Sequence, residues 1–386
     1  MKIFVLLSRI PFPIEKGDKL RAFHQIRCLA KNNEIILCAL SSSPVHPEAL
    51  KVLSDFCSEI HLIPTQKRGL IWNATKAFFN GKPFQVGYFY RRSAQKKINS
   101  LIEKCKPDHI YCQLIRVSEY VKESKLTKTL DYQDVFSLGV KRQAESSSSF
   151  LKMIYMMEYR RLLRYEHDIF EKFEHKTIIS LPDRDQLPHP SRNEVVIIPN
   201  GVDHEYFKPL KKEKTHDIIF TGNMGYTPNI DAARFVVKEI FPLVLKQFPK
   251  ATLLLSGANP HSKVRALQAK NITVTGWVAD IRDNYASART FIAPMRLGTG
   301  LQNKLLEAMA MELPCITSVL ANQALGAKAN EEILIGYTAK EYANHIINLL
   351  KDKHKAVMMA KKGHEFVKRE FSWEDSTAEL ENLFRP

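Results

Sequence analysis

Short apolar segments alternate with amphipathic segments along most of the chain. Lys2–Leu7 and Thr290–Ala293 are typical of buried strands, and Lys19–Ala30 has apolar residues at helical spacing. Strands that alternate with helices predict parallel sheets with right-handed crossovers, which is the α/β fold class. The other predicted strands are Glu34–Leu40, Ile60–Ile63, His109–Cys112, Lys128–Asp131, Thr177–Ser180, Glu194–Ile198, Ile218–Thr221, Thr252–Ser256, Thr273–Thr275 and Cys315–Thr317, the last expected to complete the second sheet.

The chain is too long for a single hydrophobic core. It has 386 residues, and the alternation of strands and helices begins again after the polar stretch Lys211–Thr215. We therefore predict two α/β domains, residues 1–205 and residues 206–368, followed by a last helical segment at 369–386 with apolar residues for docking.

A glycine loop between a strand and a helix is the first candidate site. The loop carries Gly298 and Gly300, and the predicted helix begins at about Leu301. Backbone N–H groups and the positive end of the helix dipole can bind a phosphate there, and Arg296 and Lys304 would add positive charge.

Glu307 is the one charged residue in the apolar stretch 305–311. A carboxylate in such surroundings is costly unless a specific group bonds to it, and a pair of sugar hydroxyls would do so. The alternative is that Lys304 and Glu307 form an ordinary solvated pair three residues apart. The glycine loop predicts a phosphate or nucleotide site. The choice between this site and an ordinary solvated pair depends on motifs in the rest of the chain.

Charge adds a class of partner to this picture. The net charge is +16, and residues 1–200 contribute +11 of it because they hold 32 Lys and Arg against 21 Asp and Glu. Acidic partners are expected.

The six cysteines show no CxxC spacing, which favours a reduced, cytoplasmic protein without a zinc site or disulfide frame. No apolar run approaches the roughly 20 residues that span a bilayer.

Residues 66–97 combine basic and aromatic side chains and contain no Asp or Glu. Such a segment is typical of an anionic membrane surface contact, which would place the protein at the inner membrane face. The alternative is a solvated face whose aromatic rings lie in the core. We expect no nucleic acid partner, because no nucleic-acid-binding motif accompanies the segment.

Three motifs together carry a resemblance to a known family. They are Ile198-Pro-Asn-Gly-Val-Asp-x-x-x-Phe207, the stretch 220–232 and the stretch 298–310. Across essentially the whole chain, the sequence resembles family four of the retaining glycosyltransferases, and most closely those found with exopolysaccharide systems. The resemblance implies the GT-B fold, in which two Rossmann-like domains face each other across a cleft and the last helix packs back toward the N-terminal domain.

The resemblance also implies roles for residues of the C-terminal domain. Glu307 matches the second Glu of the family's Glu-x7-Glu pair, which bonds the ribose, but Thr299 stands where the first Glu is expected. The family's Arg and Lys after the first strand are missing from 223–229, so we expect Arg296 and Lys304 to hold the diphosphate and to act in catalysis with Glu307. Further donor contacts are expected from Gly222, Asn223, Gly300, Leu301 and Gln302.

The N-terminal domain supplies weaker candidates by position. Gly17 lies in the loop after the first strand, where the family brings backbone close to the donor phosphates. Arg21, Gln113 and Arg116 are the candidate residues on the acceptor side. The alternative for the loop around Gly17 is an ordinary solvated turn.

The family implies a nucleotide diphosphate sugar as donor substrate, with no cofactor and no metal. Asp183-Arg-Asp185 has the Asp-x-Asp form of metal-dependent glycosyltransferases, but it follows a proline at the start of a short helix, where Asp is a favoured capping residue. The predicted function is therefore metal-independent, retaining transfer of a sugar to a saccharide or lipid-linked acceptor. A binding scaffold without turnover and a sugar-nucleotide epimerase are the alternatives. A dinucleotide oxidoreductase would need Gly-x-Gly-x-x-Gly after the first strand.

Overall fold

The computed structural model describes residues 1–42, 44–65, 81–145, 147–298 and 300–385. Within them the chain forms two parallel sheets with the orders β3-β2-β1-β4-β5-β6-β7 and β10-β9-β8-β11-β12-β13, so the α/β prediction is confirmed. The strands are β1 (Lys2–Leu7), β2 (Glu34–Ser41), β3 (Glu59–Pro64), β4 (His109–Gln113), β5 (Lys128–Asp131), β6 (His175–Ile178), β7 (Val196–Ile197), β8 (His216–Thr221), β9 (Leu253–Ser256), β10 (Ile272–Val274), β11 (Ala288–Ala293), β12 (Cys315–Ser318) and β13 (Leu334–Gly336).

Helices connect the strands of both sheets. Those of the described part are α1 (Gly17–Leu29), α2 (Ala49–Ser54), α3 (Phe84–Phe89), α4 (Arg92–Cys105), α5 (Ile115–Ser118), α6 (Phe136–Glu145), α7 (Ser149–Phe170), α8 (Leu181–Arg184), α9 (Thr227–Phe235), α10 (Phe241–Leu245), α11 (Ser262–Arg265), α12 (Ile281–Ser287), α13 (Asn303–Ala310), α14 (Val319–Leu325), α15 (Ala339–Lys351), α16 (Lys353–Glu370) and α17 (Trp373–Asn382), with a 3-10 turn at Arg192–Glu194. Among the described helices, none is long and apolar enough to cross a membrane.

In each sheet, the strand that comes first along the chain lies near the centre. Ile3 of β1 pairs with Ile35 on one side and with His109 on the other, and Ile218 of β8 pairs with Leu253 and Thr290. Central parallel strands are covered on both faces, which explains why their sequences are almost continuously apolar. In both sheets the strand order reverses beside this central strand, and the reversal positions the candidate site.

Two details differ from the predicted elements. The helix predicted at Asn229–Phe248 is interrupted by a π-helical turn at Val236–Ile240. Pro242 follows that turn, and a proline inside a helix removes an N–H and crowds the preceding turn, which a locally wider turn accommodates. Cys315–Thr317 is not the last strand, because the three-residue β13 adds beyond it.

The chain divides into two compact units, residues Asn200–Ser372 and a first unit that combines Met1–Pro199 with Trp373–Pro386. The predicted boundaries at 205/206 and 368/369 lie a few residues from these. The difference arises because the N–H of Val202 donates to the carbonyl of Phe371 at 3.0 Å, so both flanks of the second unit are held together there.

The last helix, α17, packs on α1 within the first unit. Trp373 is fully buried, and its ring stacks on His24 with centroids 4.9 Å apart. Leu380 and Phe384 belong to the same hydrophobic cluster as Ile26 of α1. The last fourteen residues therefore complete the core of the unit that the first residues begin.

Candidate functional site

The predicted donor residues lie where the strand order of the second sheet reverses. β8 and β11 are neighbours in space although two strands separate them along the chain. Ligands of open parallel sheets bind outside the carboxyl ends of strands at such a reversal. Gly222 and Asn223 follow β8 directly, and the loop from Pro294 to α13 follows β11. The fold thus brings these two separate stretches of sequence to one place.

Two glycines let the loops after β8 and β9 touch through their backbones. Gly222 has φ 146° and Gly257 has φ 144°, a region that side chains disfavour. A Cβ atom on Gly257 would lie 1.9 Å from the carbonyl oxygen of Gly222. A Cβ atom on Gly222 would lie 3.1 Å from the Nζ atom of Lys304. The lysine is therefore held directly beside the loop that follows the central strand.

Lys304 is buried although it carries an ionisable amine. Its Nζ atom donates to Oδ1 of Asn229, lies 4.8 Å from the ring centre of Phe220 and is 3.9 Å from the sulfur of Met295. Within the described residues no carboxylate forms an ion pair with it. Burial lowers the pKa of Lys304, and the nearby charge of Glu307 opposes the shift only in part. A buried amine without an ion-pair partner is costly, and a bound anion would reduce that cost.

Asn229 connects the lysine to the loop after β8. It lies in the first turn of α9, is buried, and donates from Nδ2 to the carbonyl of Asn223 at 2.9 Å. The side chain of Asn223 accepts from the N–H of Gly225 at 3.0 Å and so fixes the turn. Asn229 is a site residue that was not predicted, because the stretch 223–229 was considered only for cations. An amide side chain in the first turn of a predicted helix is the sequence signal that could have found it.

Glu307 is half-buried and has a specific partner. Its Oε2 atom accepts a hydrogen bond from the hydroxyl of Tyr285 at 2.7 Å, and that hydroxyl also lies 2.8 Å from Oγ1 of Thr221. Burial raises the pKa of Glu307, while the tyrosine hydrogen bond and Lys304 act in the opposite direction. The carboxylate is therefore held in place by the protein, and Tyr285 is a second residue that sequence analysis missed.

Helix α13 begins two residues later than predicted. Its first residue is Asn303 and its N-cap is Gln302, which makes no side-chain capping bond to the helix and instead donates to the carbonyl of Gly300 at 2.9 Å. Asn200, the buried Asn of the Pro-Asn-Gly motif, donates to Oδ1 of Asn303 at 3.1 Å. The side chain of Gln302 therefore does not occupy the N–H groups of the first turn. An anion site requires such uncapped N–H groups.

Arg296 does not join Lys304. Its guanidinium makes two hydrogen bonds to Asp231, at 3.0 and 2.7 Å, and lies 3.7 Å from Glu239. It also covers the ring of Phe235 at 4.4 Å. Two carboxylates already pair with this cation, and its part in holding the diphosphate stays a prediction. Thr299, predicted as a donor contact, lies outside the described residues.

Arg21, predicted on the acceptor side, is part of the core of the first unit. The side chain has no exposed surface, and its guanidinium forms hydrogen bonds of 2.7 and 3.1 Å to the two carboxylate oxygens of Asp131. A third bond of 2.9 Å reaches the carbonyl of Ile198. This burial contradicts a direct contact between Arg21 and an acceptor, and its role is to join α1 to β5 and the end of the sheet.

The other candidates of the first unit differ in accessibility. Gly17 is exposed at the start of α1, and no atom lies within 4 Å of the place a Cβ would take. Gln113 is buried and donates to Gln25 at 3.2 Å. Arg116 is half-buried, donates to Gln85 at 3.2 and 3.0 Å, and burial lowers its pKa. Of these, Gly17 alone presents open backbone.

Asp183 is used within the fold. It is buried in α8, its Oδ2 atom accepts from the hydroxyl of Ser180 at 2.5 Å, and Ser180 is the N-cap of the helix. The short helix expected from the sequence is present, but its N-cap is Ser180 and not an Asp of the triplet.

Residues 215–352 match the family model described as Glycosyl transferases group 1. An uncharacterized 44.6 kDa protein in the cps region of Klebsiella pneumoniae is 20% identical over 413 residues, covering 100% of this chain and 99% of that protein. A GDP-mannose-dependent alpha-(1-6)-phosphatidylinositol monomannoside mannosyltransferase of Mycobacterium tuberculosis is 25% identical over 212 residues, covering 49% of this chain and 55% of the relative.

Solved structures resemble the whole chain. Sucrose-phosphate synthase from Thermosynechococcus elongatus superposes with a TM-score of 0.73 at 18% identity, covering 100% of this chain and 98% of that one. Anabaena HepE in complex with UDP superposes with a TM-score of 0.68 at 14% identity, covering 99% of each chain. These likenesses confirm that the two sheets form the GT-B fold.

Proposed function

We propose that this chain, which carries a glycosyl transferases group 1 domain and has the GT-B fold, transfers a sugar from a nucleotide diphosphate sugar to an acceptor in glycan biosynthesis. The observation that carries the proposal is the position of Lys304. Its amine is buried without an ion pair to any described carboxylate, and it is held beside Gly222 at the start of α13, where the strand order reverses.

The geometry supports a division of labour within the second unit. The Nζ atom of Lys304 and the N–H groups of the first turn of α13 would hold the diphosphate. Glu307, positioned by Tyr285, would accept the ribose hydroxyls. When the anomeric bond breaks, negative charge develops on the departing nucleoside diphosphate. Preorganised cations and dipoles at that position lower the barrier to transfer.

Retention of configuration and independence of metal are the finer parts of the proposal. The hydrogen bond between Asp183 and the N-cap Ser180 supports the second, because the first carboxylate of the Asp-x-Asp triplet is engaged in helix α8. We expect transfer to persist in excess EDTA. We also expect the product anomer, assigned by proton NMR coupling constants, to match the anomer of the donor.

Polysaccharide synthesis is the proposed setting. The cps-region relative matches over 99% of its length. The name of the mannosyltransferase relative includes a phosphatidylinositol monomannoside, which is a lipid. We therefore propose a saccharide or lipid-linked acceptor at the cytoplasmic face of the membrane. The basic aromatic segment 66–97 was the predicted membrane contact, but 66–80 lies outside the described residues.

Release of free nucleoside diphosphate tests the function directly. UDP-sugars and GDP-sugars would first be screened by thermal shift, because a ligand of the folded state raises its melting temperature. The donors that bind would then be incubated with saccharide acceptors. Acceptor-dependent release of nucleoside diphosphate is the expected result. Tight binding without release would identify a scaffold, and interconversion of the nucleotide sugar without acceptor would identify an epimerase.

A further inference from the structure

Two of the three carboxylates of helix α7 (Ser149–Phe170), those of Glu158 and Glu166, lie on its inner face. Glu158 is buried, and its two oxygens accept from the backbone N–H groups of Phe84 at 2.8 Å and Gln85 at 3.3 Å. Glu166 is also buried and accepts from the N–H of Ser137 at 3.1 Å. These bonds hold the first turns of α3 and α6, so both buried carboxylates serve the fold. The third carboxylate of α7, Asp168, is exposed near the C-terminus of the helix, away from its first turns.

The outer face of the first turns is apolar. Phe150 is 69% exposed, Leu151 46% and Met153 63%. Single exposed apolar residues are common, but a group of large ones on one helix marks a site of interaction. A helix of this kind normally points its apolar side chains inward, so this arrangement has a cost that a partner would remove.

Arginines continue the same face toward the C-terminus of α7. Among the described residues, a groove of about 320 Å³ is lined by Met153, Met156, Met157, Arg160, Arg161 and Arg164. Arg161 and Arg164 also line a second cavity of about 230 Å³, where they meet Lys82, Lys122 and Lys172. Apolar side chains and a basic cavity thus adjoin along one helix.

Acidic residues do not cancel this positive charge. In the second cavity Glu119 is buried and bonds to Lys82, Lys122 and Tyr165. Asp168, the other carboxylate there, lies 3.2 Å from His167. Among the described lining residues there are five cations and two carboxylates, and Glu123 beside the cavity pairs with Lys172 at 3.7 Å. The described part of the cavity therefore keeps a net positive charge, and the outer face of α7 adds Arg160.

We propose that this α7 surface, defined as Phe150, Leu151, Met153, Met157, Arg160, Arg161 and Arg164 with the adjoining basic cavity, docks on an anionic lipid bilayer. The apolar residues would enter the boundary between headgroups and acyl chains, and the arginines would bond headgroup phosphates. A bilayer fits better than a purely ionic partner because the surface exposes a phenylalanine and a methionine by more than half of their area. The inference does not rest on the sugar transfer proposed above.

The test compares the full chain with two α7 variants. One carries Phe150→Ser and Met153→Ser, and the other carries Arg160→Glu and Arg164→Glu. The parent is expected to co-sediment with vesicles of phosphatidylcholine and phosphatidylglycerol at low salt but not with phosphatidylcholine alone. Each variant is expected to lose about tenfold or more of this binding, since basic residues and buried apolar area both contribute.

Helix α16 of the second unit offers a matched control. Val357 and Met358 are 52% and 45% exposed there, and Lys355 and Lys361 are exposed as well. The changes Val357→Ser with Met358→Ser, and Lys355→Glu with Lys361→Glu, are expected to leave vesicle binding within about twofold of the parent, because they remove the same chemistry from another place.

Several outcomes would overturn the proposal. They are absence of binding by the parent, equal loss in the α7 and α16 variants, or a dimer in light scattering that Phe150→Ser with Met153→Ser converts to monomer. Circular dichroism melts check that each variant folds. Nucleoside diphosphate release toward a soluble acceptor is expected to be unchanged in the α7 variants, so failure of membrane docking is distinguishable from failure of the transfer activity.

Discussion

At the scale of single residues, the structure separates two cations that the sequence makes look equivalent. Lys304 is buried without a carboxylate partner among the described residues, whereas Arg296 is paired with Asp231 and Glu239. The fold causes this difference in charge pairing, because it brings Asp231, from a helix remote in sequence, next to Arg296. The two residues should therefore respond differently to removal.

Replacing Lys304 tests its assigned role. Lys304→Ala is expected to lower turnover by about 10²–10³-fold, the loss typical of one charge-stabilising donor. Arg296→Ala is the matched control and should cost less than about tenfold, since its charge is already neutralised. Steady-state rates of nucleoside diphosphate release measure both. Similar losses in the two variants would contradict the assignment.

The buried amine should also affect stability in a way that depends on pH. Burial lowers the pKa of Lys304 to about 7 in the folded protein, below its value near 10.4 in an unfolded chain. The unfolded state therefore binds more protons between these values, so the lysine costs most stability at or below pH 7 and least near pH 10.

Lys304→Met removes that cost. The difference in melting temperature, variant minus parent, is expected to fall as the pH rises from about 7 toward 10. Calorimetry of the ligand-free proteins across this range measures it. A difference that stays constant would mean that Lys304 keeps its ordinary pKa in the folded state.

At the scale of elements, the ends of β8 and β9 fit together only because two glycines meet. The carbonyl of Gly222 occupies the position that a side chain on Gly257 would need. This contact fixes the loop that carries Asn223 and, through Asn229, the amine of Lys304. The precision of the candidate site therefore depends on backbone packing as well as on the polar residues.

Gly257→Ala should destabilise the second unit by roughly 2–4 kcal/mol, since it combines a clash with a disfavoured φ of 144°. Gly276→Ala is the control, because nothing lies within 4 Å of its Cβ position. That change should stay within about 0.5 kcal/mol of the parent. Denaturant melts of both variants decide the matter, and equal stabilities would show that the two loops move apart easily.

At the scale of the whole molecule, the chain leaves the first unit and returns to it. The last residues of the chain, which include α17, lie in the same unit as β1. Trp373, Leu380 and Phe384 bury large apolar surfaces there, and each such side chain contributes about 1.5–3 kcal/mol.

Trp373→Ala should therefore lower the stability of the first unit by about 3–5 kcal/mol. Trp277→Ala in the second unit is the control, because that ring is mostly exposed and its loss should cost about 0.5 kcal/mol or less. Calorimetry that resolves the transitions of the two units is the measurement. Unchanged melting in Trp373→Ala would mean that α17 contributes little to its unit.

The fold could be predicted largely from the sequence. The strand Lys2–Leu7 was located at its exact ends, because parallel strands covered on both faces are continuously apolar and therefore visible in the sequence. Lys128–Asp131 was also located at its exact ends, although only one of its four residues is apolar. Elements with weak local signals were missed or misplaced. The three-residue β13 is too short to show a pattern. The π-helical turn before Pro242 lies inside a helix that was predicted as continuous.

The sequence by itself determined the fold class and the glycine loop and made Lys304 and Glu307 site candidates, since these depend on local patterns and on motifs. Only the tertiary structure decided which charges are neutralised and which are not. It buried Arg21 against Asp131, paired Arg296 with Asp231 and placed Tyr285 on Glu307. Charge pairing depends on contacts between residues far apart along the chain, and no local pattern specifies them.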